Sequence, residues 1–234
     1  MNYMILDNLD SLEDICSGVQ SKTTSLLGHV IYTNNELYHA NFYQTMFDIL
    51  KTEDIKTVLD VGGCTGQFSK VMMEKLPSIE KCVIIEPLSR NYHFIKYRFC
   101  NESKIEVLKK CIFYGKETIN LFSEDGNVGG AHMSSSQNAE TIETSSLEDL
   151  PVCDFIKLDV ENAEWRIIEN STSLDQFTFI QIEFHDLFNW HYAGDWESFL
   201  DKHLPNHEVI MDGKDFPRKW GGSWFEQVLL KRKN

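Results

Sequence analysis

Two segments, KTVLDVGG (56–63) and KCVIIEP (81–87), carry continuous apolar runs closed by glycine or an acid, and Phe68, Val71, Met72 and Leu76 recur at helical spacing between them. Runs of Val, Ile and Leu without polar alternation fit strands covered on both faces, the setting of a parallel sheet flanked by helices. The spacing predicts further strands at 104–113, 153–160, 177–185, 207–213 and 223–232, with helices near 89–100, 162–170 and 195–204. Strands that alternate with helices make an open α/β sheet. The last two strands, joined only by GKDFPRKWGG, read as an antiparallel hairpin at one edge. The expected fold is therefore α/β, a mostly parallel sheet with an antiparallel edge hairpin and helices on both faces. Ligands bind such sheets at the carboxyl ends of the strands.

Residues 1–50 precede the first strand and read as a helical extension, with residues 51–234 as the main domain. The aromatics Tyr32, Tyr38, Phe42, Tyr43 and Phe47 of that extension suit a cap over the site or a homodimer contact. Residues 123–146, rich in Ser, Gly, Asn and Thr, read as a long surface loop. The 22 Lys+Arg against 36 Asp+Glu leave a net charge of -14, which disfavours nucleic acid and anionic membrane as partners. The first residues show no basic and apolar signal pattern, and no apolar run approaches the ~20 residues of a spanning helix, so a cytoplasmic location is expected. The six cysteines form no C-x-x-C pair and read as reduced, packed thiols.

In VLDVGGCTGQFS (58–69) a buried strand ends at Asp60 and turns through Gly62, Gly63 and Gly66 into a helix. Glycines allow a tight turn and close approach to a ligand, leaving main-chain N–H groups to hold it. Glu86, twenty residues beyond Gly66 at the end of the next strand, offers two oxygens to the hydroxyls of a ribose. The G-x-G-x-x-G pattern is absent, which disfavours NAD and FAD, and a nicotinamide oxidoreductase with them. A loop that opens with an acid suits a cationic ligand better than a pyrophosphate.

Asp159 falls at the end of the fourth of these strands, and Glu183 and His185 fall near the end of the fifth, two apart and so on one face. Two carboxylates and an imidazole suit a divalent metal such as Mg or Mn. They equally suit metal-free general-base catalysis by His185 or Asp159, and His185 has the ordinary pKa nearest working pH. Lys157, on the same side as Asp159, reads as its salt-bridge partner. Arg218, Lys219 and Trp220 in the hairpin loop could bind a nucleotide diphosphate and stack on its base, or form a solvated basic tip.

The D-V-G-G-C-T-G loop resembles the first motif of class I S-adenosylmethionine-dependent methyltransferases. With IEPLSRNY, SSLEDLPVCDFIKLDVENAEWRIIE and FIQIEFHD following in order, residues 56–186 resemble the FkbM-type methyltransferases, a group dominated by O-methylation of sugars and natural products. Where that family usually has glycine this chain has Asn162, a residue that tolerates left-handed backbone. The resemblance implies a Rossmann-like fold and an S-adenosylmethionine site at Asp60, Gly62, Gly63, Gly66, Gln67, Phe68, Glu86 and Cys111. It also implies methyl transfer to a sugar hydroxyl, with a nucleotide-linked sugar of surface polysaccharide or glycan biosynthesis as the expected acceptor and Asp159, Glu183 and His185 as the catalytic or metal-binding group.

Overall fold

The computed structural model describes residues 36–115, 117–122, 132–133, 139–185, 196–213 and 225–233. The main sheet contains β1 (Thr57–Val61), β2 (Lys81–Ile85), β3 (Ile105–Leu108), β8 (Phe155–Leu158), β9 (Phe179–His185), β10 (His207–Asp212) and β11 (Phe225–Arg232). Their spatial order is β10-β11-β9-β8-β1-β2-β3. The five strands from β9 to β3 are parallel, while β11 runs antiparallel between β9 and β10. The mostly parallel sheet and its antiparallel edge pair are thus those expected from the apolar runs.

The helices are α1 (Glu36–Leu50), α2 (Gln67–Lys75), α3 (Ser89–Arg98), α4 (Glu164–Asn170) and α5 (Trp196–His203). Alternation along β1 sends Leu59 and Val61 into one apolar core with Trp165, Phe184 and Phe199. It sends Val58 into the other, with Phe42, Met46, Met72 and Phe155. Phe42, Met46, Phe47 and Leu50 of α1 are all buried there. The aromatic face expected to seek a cap or dimer contact is covered, at Phe42 and Phe47, by the chain's own sheet. Tyr32 and the side chain of Tyr38 lie outside the described residues.

Two expectations are corrected. The segment 104–113 is not one strand: the chain leaves the main sheet after β3 at Lys109 and Lys110, and β4 (Cys111–Ile112) pairs with β7 (Glu140–Ser145) instead. The lysines explain the break, since Lys109 turns outward to Glu140 at 2.7 Å. The stretch 123–146 is not all loop either, because β7 and β6 (His132–Met133) flank β5 (Thr118–Phe122) antiparallel in a second sheet. Ile142 and Thr144 alternate inward along β7, a period-2 signal masked by the polar composition around it.

Candidate active site

The glycine loop joins β1 to α2, and its shape depends on the absence of side chains at two positions. Gly62 has φ 87°, and a Cβ there would lie 1.7 Å from the carbonyl oxygen of Asp159. Gly66, with φ 72°, sits at the N-cap of α2 against the ring of Phe99. The loop therefore wedges between the end of β8 and α3.

Its amides do not stand free as expected. The Gly62 and Gly63 N–H groups donate to Ile85 O at 3.1 and 2.9 Å, and Gly66 N–H donates to Gly63 O at 2.6 Å. Cys64, itself at φ 52°, donates its N–H to Glu86 Oε2 at 2.8 Å. Glu86 Oε1 also accepts from Leu88 N–H at 2.9 Å and from Asn91 Nδ2 at 3.4 Å. Three donors leave this carboxyl room for a further hydroxyl, which it can meet as an acceptor or, when protonated, through its own O–H. Burial pushes Glu86 up to about 8, against the pull of the Leu88 and Cys64 amides and the Asn91 side chain.

Around this core the other expected cofactor residues divide. Cys111 is buried, and that burial together with the neighbouring Glu86 pushes its thiol up to about 12. Gln67 Oε1 accepts from Arg98 Nη2 at 2.6 Å while Arg98 Nη1 donates to Thr65 O at 2.8 Å, so Arg98 clamps the loop from α3. Phe68 stacks on Phe155 with centroids 6.0 Å apart. Asp60 is a correction: it has no exposed surface, and it accepts from Ser69 Oγ at 2.5 Å with Lys157 Nζ 4.0 Å away. The strand alternation that points Leu59 and Val61 into the opposite core points Asp60 under α2, where it fixes the first turn of that helix. Arg218, Lys219 and Trp220 lie outside the described residues.

Beyond β8 the chain turns through Glu161 at φ 53° and Asn162 at φ 82°, so the Asn that replaces glycine does adopt the left-handed backbone. Two consecutive left-handed residues are costly, and such strain gathers at functional sites. The turn brings Asp159, Glu161 and Glu164 to the end of β9, where Glu183 and His185 share one face. His185 Nε2 lies 4.0 Å from Asp159 Oδ1, 3.7 Å from Glu161 Oε2 and 3.6 Å from Glu183 Oε1. On its other side, His185 Nδ1 is 3.0 Å from Glu164 Oε1, which also accepts from Val160 N–H at 2.8 Å. Lys157 Nζ donates to Asp159 Oδ2 at 2.7 Å, the ion pair expected from their spacing. Gln227 of β11 donates to Glu183 Oε2 at 2.5 Å and to the Tyr43 hydroxyl of α1 at 3.3 Å.

Four carboxylates thus crowd one imidazole. Burial pushes Glu161 up to about 8 and Glu183 to about 7, with His185 opposing both. Burial alone would lower His185, but Glu164, Glu183 and Asp159 outweigh it and raise the imidazole well above its ordinary value. His185 can therefore act as a base or as a ligand only after releasing that proton. Burial would likewise lower Lys157, and Asp159 and Asp60 reverse the shift and keep it charged.

Asp159, Glu183 and His185 are therefore brought together as expected, while Glu161, Glu164, Gln227 and Tyr43 are additions. The sequence did hold a signal for the first two: D-V-E-N-A-E places three acids across one tight turn at a strand's carboxyl end. Nothing local marked Gln227, and Tyr43 was marked only as one of the aromatics suited to a cap or a dimer contact; both reach the site through tertiary packing.

The family model for the methyltransferase FkbM domain matches residues 60–206, a span from the glycine loop to beyond α5. The chain belongs to the FkbM methyltransferase family. Among solved structures, methyltransferase FkbM from Methylobacillus flagellatus KT superimposes with a TM-score of 0.50 at 15% identity over 76% of this chain. The FkbM chain described here spans 44% of the length of that protein. The N-methyltransferase NodS from Bradyrhizobium japonicum WM9 gives a TM-score of 0.51 at 10% identity, covering 86% of this chain and 99% of its own. Ribosomal protein L11 methylase from Lactobacillus delbrueckii subsp. bulgaricus gives 0.50 at 10% identity, with coverage of 87% and 81%. At these identities the likeness is one of fold, the class I methyltransferase arrangement. No curated protein matches the sequence of this family member. No described helix is long and apolar enough to cross a membrane.

Proposed function

We propose that this FkbM-family chain transfers a methyl group from S-adenosylmethionine to a hydroxyl of a sugar, with a nucleotide-linked sugar of glycan or surface polysaccharide biosynthesis as the preferred acceptor. The observation that carries the reading is the contact between Gly62 and the Asp159 carbonyl, because it sets the glycine loop and the acidic cluster side by side at the carboxyl ends of β1 and β8. Methyl transfer from a sulfonium is an in-line displacement, so the protein's main task is to align acceptor oxygen, methyl carbon and sulfur. Two adjoining subsites, one for a nucleoside and one rich in proton acceptors, suit that task.

Glu86 would hold a ribose hydroxyl at its remaining site. Asp159 and Glu183 would receive the acceptor's hydroxyl and its proton, since a sugar hydroxyl needs a base to become a competent nucleophile. Gln227 fixes one oxygen of Glu183 and leaves the other facing the cluster. The acidic surface, with its net charge of -14, supports a small-molecule acceptor over a nucleic acid.

The test is S-adenosylhomocysteine release over a panel of nucleotide sugars, with free sugars and small-molecule alcohols alongside. Turnover with a nucleotide sugar, lost in Asp159→Ala, supports the reading. Turnover only with the other alcohols, or none in a protein that binds S-adenosylhomocysteine, overturns the acceptor class.

A further inference from the structure

Asp159, Glu164 and His185 come from three different parts of the chain: the end of β8, the first residue of α4 and the end of β9. One ligand atom from each lies within 4.8 Å of the other two. This is the separation of donors that share one ion, since bonds of about 2.0–2.3 Å place neighbouring ligands roughly 3–4.5 Å apart. The set differs from that expected from the sequence by Glu164 in place of Glu183, whose Oε2 is engaged by Gln227.

An acidic cluster alone would not argue for an ion, but Glu164 is an independent sign of one. Its side chain has no exposed surface, and its Oε2 is buried without a hydrogen-bond partner among the described residues. A buried carboxylate oxygen without a donor is costly, and a cation beside it would satisfy it. The charge count agrees: Asp159, Glu161, Glu164 and Glu183 surround His185, and Lys157 is the lysine placed against them. Lys157 donates to Asp159 Oδ2, and Asp159 Oδ1 lies 4.0 Å from His185 Nε2.

We propose that Asp159, Glu164 and His185 bind one divalent cation. Two hard carboxylates with one imidazole suit Mn2+, which accepts both ligand types, ahead of Mg2+. The catalytic use of the ion rests on the function proposed above: beside the glycine loop it would polarise the acceptor hydroxyl and ease loss of its proton. Its binding does not depend on that reading, and so the two are separable by experiment.

The experiment is titration of the metal-stripped full-length protein with Mn2+, read by loss of the free-ion electron paramagnetic resonance signal, in the absence of cofactor and acceptor. The expected result is one equivalent bound per chain, retained in the exposed-acid control Glu106→Gln and weakened tenfold or more in Glu164→Gln and in Asp159→Asn. Asp159 is partly exposed, so its variant decides the matter if Glu164→Gln fails to fold. Absence of a stoichiometric site in the wild type, or equal affinity in the folded variants and the control, would overturn the proposal. A parallel titration with S-adenosylhomocysteine keeps the readings apart: cofactor binding without Mn2+ binding overturns the ion alone, and Mn2+ binding without cofactor binding overturns the methyltransferase reading alone.

Discussion

Gly62 lies directly against the carbonyl of Asp159, 1.7 Å from where a Cβ at Gly62 would stand. The contact is backbone to backbone, so no rotamer change can relieve it, and φ 87° penalises any side chain besides. Gly62→Ala should therefore displace the glycine loop from β8. We expect a loss on the order of 1–3 kcal/mol in stability and a severe loss of S-adenosylhomocysteine affinity. Thermal melting and calorimetric titration of the same preparation check both.

Arg98 bridges Thr65 O and Gln67 Oε1, two points on one loop. A planar guanidinium makes two such bonds where an ammonium has no matching fork. Arg98→Ala should weaken S-adenosylhomocysteine binding about tenfold, the equivalent of about 1.4 kcal/mol, and Arg98→Lys should restore little of it. Titration of the two variants, with melting as a control for folding, tests the clamp.

Glu86 should make stability fall with rising pH. Its carboxyl titrates near 8 in the fold, above its ordinary range, because burial penalises the charged form. Between roughly pH 4.5 and 8 the folded state therefore holds a proton that the unfolded state has released, and stability falls as pH rises through that window. Glu86→Gln cannot titrate. Unfolding free energies from denaturant titrations at pH 5.5 and 8 should converge in the variant relative to the wild type, by an amount on the order of a few kcal/mol. Equal pH dependence in both proteins would contradict this account of Glu86.

Phe42 of α1 has no exposed surface and packs edge-on to Tyr43. Phe42→Ala should cost roughly 3–5 kcal/mol, as for other large core truncations. A change below about 1 kcal/mol in chemical denaturation would show that α1 is not part of this core.

The sheet was legible because buried parallel strands write themselves as unbroken apolar runs: VLDV, CVII, FIKL and FIQIEF became β1, β2, β8 and β9. The second sheet was not, because its strands are short and half exposed, and Thr and Ser around Ile142 mimic loop composition. At the site, position at strand ends identified Asp159, Glu183 and His185, and the glycine spacing identified the loop and Glu86. Position could not say which way a side chain turns. Asp60 is inverted under α2 by the alternation of its own strand, and the charges gathered around His185 exist only in three dimensions. Gln227 bonds to Glu183 and to Tyr43, so the site is joined from opposite ends of the chain by residues outside those that the family model matches.

The most direct test of the central claim is calorimetric titration of the purified chain with S-adenosylhomocysteine and, separately, with NADH. The account predicts one S-adenosylhomocysteine bound per chain, with affinity reduced at least tenfold in Glu86→Ala, and no heat from NADH. Binding of NADH in place of S-adenosylhomocysteine, or an affinity for S-adenosylhomocysteine indifferent to Glu86, would contradict it.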